Sequence, residues 1–133
     1  MHYKHLLINI DTGFKTTFGV NVFFNVNSTI ENGYFEKGFI YMSEDYNNSN
    51  LRISSNNAIL RNITSLSNGA IINISFPSRV LYINFYDAII ENTRSEKYGG
   101  VIYTERQSGS ESERMNFTFQ NCKFSNNTAQ LGI

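Results

Sequence analysis

Two stretches of equal length carry the fold: LRISSNNAILRN at residues 51–62 and LYINFYDAIIEN at residues 81–92. Aligned on their final asparagines they agree at the large apolar, small and turn positions. Asn62 and Asn92 are 30 residues apart (92 − 62 = 30), and so are Asn32 and Asn62 (62 − 32 = 30). A fourth copy ends at Asn126, offset by 34 (126 − 92 = 34). Two positions before each asparagine stand Ile30, Leu60, Ile90 and Phe124, all large and apolar. Four before stand the small residues Ser28, Ala58, Ala88 and Cys122. Five before stand Asn27, Asn57, Asp87 and Asn121, short polar side chains that tolerate left-handed turns. Nine before stand Phe23, Ile53, Ile83 and Phe117. Several columns in one register are the signature of a structural repeat.

After each asparagine comes a glycine step into an apolar run: Gly38-Phe39-Ile40-Tyr41, Gly69-Ala70-Ile71-Ile72 and Gly99-Gly100-Val101-Ile102-Tyr103. Each copy therefore holds three short strand-like pieces, at residues 51–54, 58–61 and 70–75 in one copy and 81–85, 88–91 and 101–104 in the next. The segments that join the third piece to the next first piece are polar and vary in length, as a solenoid tolerates at one corner. Three strands with turns between them make one triangular rung, and successive rungs stack about 4.8 Å apart. The expected fold is all-β: a right-handed parallel β-helix of about four three-strand rungs, and a fragment of a longer repeat array. Residues 1–20 read as an N-terminal cap or a degenerate rung, followed by repeats at about 21–50, 51–80, 81–114 and 115–133, the last incomplete. The inward columns are expected to be apolar stacks. The column Asn32, Asn62, Asn92 and Asn126 is expected to be an asparagine ladder satisfying buried turn polarity.

The composition fits this order. The chain has 133 residues, 41% of them hydrophobic, which is enough for one domain with a core. Acidic and basic residues balance at 11 each. That balance argues against a nucleic-acid partner, which calls for a basic stripe, and against docking to an anionic membrane. No apolar run reaches the length of a membrane span. The apolar stretch near His2 and His5 is too short for a signal peptide, so either the protein stays inside the cell or its true N-terminus lies upstream; an extracellular or cell-surface location is expected if the chain belongs to a longer secreted one. The lone Cys122 leaves no internal disulfide and reads as a core thiol.

The stretch Asn121-Cys122-Lys123-Phe124-Ser125-Asn126 contains a Phe-x-x-Asn element, and Gly99-Gly100-Val101-Ile102 a Gly-Gly-aliphatic element. The pair resembles the repeat of chlamydial polymorphic outer membrane proteins, a family similar in fold to pectate lyases. The resemblance runs from about residue 22 to the C-terminus and implies an extracellular, adhesin-like passenger. Phe-x-x-Asn is complete in one copy, Gly-Gly is present in another, and the first copy is degenerate, with Gly33 directly after Asn32.

Motifs that could carry catalysis are sparse. Asp11-Thr12-Gly13 matches the aspartic-protease tripeptide, but Phe14 follows it and no second half is present. Polysaccharide cleavage by a lyase or glycoside hydrolase, the alternative function, needs clustered acids beside a base. Asp11, Asp45 and Asp87 fall at different repeat positions. Glu31 and Glu91 share a column with Arg61 between them, which reads as a surface ion ladder. No cofactor is implied.

Binding is the better reading. Tyr34, Tyr41, Tyr82 and Tyr103 are expected outward and could form a binding face for a glycan or protein partner. Among the Asn-x-Ser/Thr sites, Asn47 and Asn73 are the expected glycan acceptors, because Asn62 and Asn126 lie in the ladder. The sequence therefore points to a non-catalytic surface module with protein or glycan partners, whose open last rung is expected to associate end to end.

Overall fold

The structure, a computed structural model, describes residues 8–11, 20–24, 27–43, 50–75, 80–105 and 114–131. Every regular element among them is a strand. In chain order these are β1 (Ile8–Asp11), β2 (Val20–Phe24), β3 (Thr29–Phe35), β4 (Ile40–Ser43), β5 (Asn50–Asn56), β6 (Ile59–Ser65) and β7 (Ile72–Ser75), then β8 (Val80–Tyr86), β9 (Ile89–Ser95), β10 (Ile102–Glu105), β11 (Arg114–Gln120), β12 (Lys123–Ser125) and β13 (Thr128–Ala129).

All pairings are parallel, and each strand up to β9 pairs with the strand three places later. Three stacked sheets result: β1-β4-β7-β10, which we call the first wall, β2-β5-β8-β11, the second, and β3-β6-β9-β12, the third. Strand β13 continues the third wall by pairing with β9. The chain thus visits the walls in strict rotation, a β-helix-like parallel arrangement. Because it begins on the first wall, the strands group as four turns, and the last has a strand in each wall. Residues 8–11 pair along Ile40–Ser43 and so contribute a strand to the first wall.

The corners explain why the asparagines recur. Among the described residues, eight non-glycine residues have φ between 52° and 63°: Asn27, Asn32, Asn57, Asn62, Asp87, Asn92, Asn121 and Asn126. Within each turn the two are five residues apart (62 − 57 = 5). A strand alternates its side chains between faces, and a left-handed residue resets that alternation. Ile53 and Ser55 point in, Asn56 and Asn57 out, Ala58 and Leu60 in, Arg61 and Asn62 out, Ile63 and Ser65 in. The third turn repeats the pattern with Ile83, Phe85, Ala88, Ile90, Thr93 and Ser95 inward. The third corner uses glycine: Gly69 and Gly99 have φ of 56° and 66°, and a Cβ on either would strike the carbonyl of Ile72 or Ile102.

The core fills the tube between the walls. Ile53, Leu60, Ile63, Ile72, Ile74, Leu81, Ile83, Phe85 and Ile90 are all fully buried. Column by column the register runs Ile30, Leu60, Ile90, Phe124 and Ile53, Ile83, Phe117. In the first turn, however, Val22 and not Phe23 lies opposite Ile53. That copy has one more residue before its corner, so counting back nine from Asn32 stops one place short, at Phe23. Gly33 occupies an inward position, and the Phe35 ring fills the space, lying 2.5 Å from where a Cβ would stand. Several inward polar groups bond to backbone, although the buried Ser55 Oγ has no partner among the described residues. Ser65 and Ser95 Oγ donate to the carbonyls of Asn68 and Tyr98, three residues on. Asn127 enters the last turn, donating to the Ile90 carbonyl while its Oδ1 accepts from Thr93 N and Oγ1.

Candidate functional site

The tube is filled by apolar side chains, and most polar groups stand in the outward rows of the walls. The corner between the two halves of the third wall carries the asparagine ladder. Asn62 Nδ2 donates to Asn32 Oδ1 at 3.1 Å, Asn92 to Asn62 at 3.2 Å and Asn126 to Asn92 at 3.3 Å. The four side chains are exposed, which corrects the expectation of a buried ladder. A left-handed residue on a convex corner turns its side chain outward, so the amides bond one another beside water. The neighbouring corner has a shorter version, with Asn121 Nδ2 donating to Asp87 Oδ1 at 3.1 Å.

Glu31, Arg61 and Glu91 are in register on the third wall. Arg61 bonds Glu31 through Nη2 at 2.6 Å and Nε at 2.7 Å. Among the described residues no ion pair joins it to Glu91.

The four tyrosines do not share a face. Tyr34 lies on β3, Tyr82 on β8, and Tyr41 and Tyr103 on β4 and β10, so they occupy three different walls. The expectation of one four-tyrosine surface fails because alternation alone gives in or out and not which wall. On the second wall, the Arg52 guanidinium sits 5.2 Å from the Tyr82 ring centroid. On the first wall, Tyr41, Asn73 and Tyr103 form one row, residue opposite residue. Each has a companion from the residue preceding the corner glycine. Lys37 Nζ lies 4.7 Å from the Tyr41 ring centroid, and Tyr98 stacks on Tyr103 with centroids 6.2 Å apart and planes at 24°. Asn68 is the middle companion, and its Oδ1 accepts from the Tyr98 backbone N–H at 3.2 Å. Burial, and then the Glu105 carboxylate, push the Tyr103 hydroxyl above its ordinary pKa.

Asn73 is 2% exposed, and its amide donates to the Lys37 carbonyl at 2.8 Å. It therefore cannot carry a glycan in the folded chain, contrary to expectation. The acceptor motif is local and does not register that the 36–38 segment of the preceding turn covers this position. Asn47, the other expected acceptor, lies outside the described residues, as do His2, His5, Thr12, Gly13 and Asp45. Asp11 lies in β1 opposite Ser43. The Cys122 thiol is half-buried and donates to the Phe85 carbonyl at 3.3 Å. Lys37, Asn68 and Tyr98 escaped the sequence reading, although their shared place before a glycine could have singled them out.

Among the described residues no group of three or more His, Cys, Asp or Glu is placed to hold a metal ion, and no helix is long and apolar enough to cross a membrane. No protein-family model, curated protein or solved structure matches the chain.

Proposed function

We propose that the chain is a non-catalytic binding and display module, built on a right-handed parallel β-helix and working outside the cell or at its surface within a longer secreted protein. Its partners on this reading are proteins or glycans. The observation that carries it is the presence of outward rows on successive turns about 4.8 Å apart: the asparagine ladder, the Glu31-Arg61-Glu91 row and the Tyr41-Asn73-Tyr103 row. Such rows suit a ligand that is itself extended, and the equal numbers of acids and bases suit contact without strong steering. The right hand follows from the rule that parallel crossovers are right-handed in about 98% of cases. The resemblance to the polymorphic outer membrane protein repeat supports the same location and role.

The test has two arms. Purified chain is incubated with pectate, xylan and chitin, and reducing ends and unsaturated products are followed; none should accumulate. Fluorescently labelled chain should bind saturably to immobilised extracellular-matrix glycans or proteins. Sustained turnover, abolished by substitution of an outward acidic residue, overturns the proposal in favour of a polysaccharide-active enzyme.

A further inference from the structure

We propose that the outer row of the first wall is a binding strip for a neutral, β-linked pyranose polysaccharide lying along the coil axis. This rests on the binding-module reading and names its ligand class and its site. The row alternates ring, amide, ring: Tyr41, Asn73, Tyr103. Tyr41 and Tyr103 are two turns apart, about 9–10 Å. An extended β-linked chain turns the same sugar face to one side at every second residue, so two rings at this separation meet alternate sugars of one chain.

The chemistry at each ring is suited to a sugar. A pyranose with equatorial hydroxyls presents a face of C–H bonds, and the electron-rich face of an aromatic ring attracts their positive hydrogens. Tyr98, 47% exposed, stacks on Tyr103, so that at this end the outer ring of a stacked pair is offered to a ligand. At the other end the Lys37 ammonium lies over Tyr41 and is engaged with its ring. That favours a neutral polymer over a polyanion. Amides of Asn68 and Asn73 supply hydrogen-bonding groups between the rings, as saccharide hydroxyls require.

Asn73 is the floor of the strip. Its neighbours in the row are partly exposed and it is buried. Its Nδ2 is used by the Lys37 carbonyl, while its Oδ1 has no donor. A buried acceptor without a donor is costly. A sugar hydroxyl entering between the two tyrosines, with a small swing of either ring, supplies the missing donor. A protein partner is less suited to this strip, because a docking surface wants a continuous apolar centre and here an amide interrupts every second turn.

The experiment is titration calorimetry of the full chain against cellohexaose, xylohexaose and chitohexaose, with maltohexaose as the α-linked comparison and hexagalacturonate as the anionic one. At least one β-linked neutral hexasaccharide should bind, and more tightly than either comparison. Tyr98→Ala and Tyr41→Ala should each weaken that binding by about five- to ten-fold, while Tyr82→Ala on the second wall should leave it unchanged. Tyr98→Leu, which keeps apolar bulk and removes the ring, serves if an alanine variant fails to fold. Three results overturn the strip: no β-linked neutral hexasaccharide binds, hexagalacturonate binds best, or binding survives loss of the rings. The module reading fails on a different result, sustained turnover, so the two failures are distinguishable.

Discussion

A non-glycine residue in the left-handed region costs roughly 1–2 kcal/mol, least for asparagine and aspartate. The described residues include eight of them, at two of the three corners of each turn. Asn62 combines that conformation with two ladder bonds, to Asn32 and from Asn92. Asn62→Ala should lose about 1–2 kcal/mol of stability, whereas Asn62→Gly, which relieves the backbone and removes the same bonds, should lose clearly less. Equal losses in chemical denaturation would mean that the ladder and not the dihedral carries the corner. Asp87 is the flaw in the other column. It accepts from Asn121 but has no amide to offer Asn57. Asp87→Asn should complete the run and raise the unfolding free energy by about 0.5–1.5 kcal/mol; an unchanged or lower melting temperature contradicts this. These corners were legible in the sequence because asparagine is the residue that both tolerates the conformation and bonds to its own copy one turn away. Exposure was not legible. Nothing in the spacing says that two successive residues, such as Arg61 and Asn62, both face water.

Among the elements, the β6 and β9 strands bear the clearest tests. Ile90 is fully buried, between Leu60 and Phe124 in its column. Ile90→Asp places a carboxylate there with no cationic partner, a cost of several kcal/mol, and should abolish the cooperative thermal transition followed by circular dichroism. Arg61→Glu acts on the outer side of the same strand. Its side chain and that of Glu31 are 44% and 41% exposed, so loss of the pair and a row of three carboxylates should cost no more than about 1 kcal/mol. A loss several times larger, in urea melts with and without added salt, would point to a role beyond charge. Strand phase could be read from the sequence wherever a copy kept its length, as in β5 and β8. It failed in β2, where one extra residue moved Val22 into the column assigned to Phe23. The strip on β4, β7 and β10 was half visible. Tyr41 and Tyr103 announce themselves as outward rings, but Asn73 between them reads as a glycosylation motif until the preceding turn is seen to cover it.

For the molecule as a whole, the two ends of the coil are unlike. Every ladder amide donates toward the preceding turn. At the far end Phe117, Phe119 and Phe124, members of inward columns, are 43%, 41% and 45% exposed. Exposed apolar columns beside unpaired strand edges are templates for further strands. The 133-residue chain on its own should therefore associate with rising concentration in light scattering, and Phe117→Lys with Phe124→Glu together should suppress it. A monomer at all concentrations would show that the exposed rings are tolerated. The joins between walls differ as well. Those from the first wall to the second span residues 12–19, 44–49, 76–79 and 106–113, that is 8, 6, 4 and 8 residues, yet the strands on either side keep their register. Doubling a loop costs only about 0.6 kcal/mol. Insertions and deletions in the gene are thus cheapest at this seam, whereas a codon added within a strand shifts it by one place and turns its core side chains to water. The seam is where a lineage can experiment, and where an engineer should splice a foreign epitope.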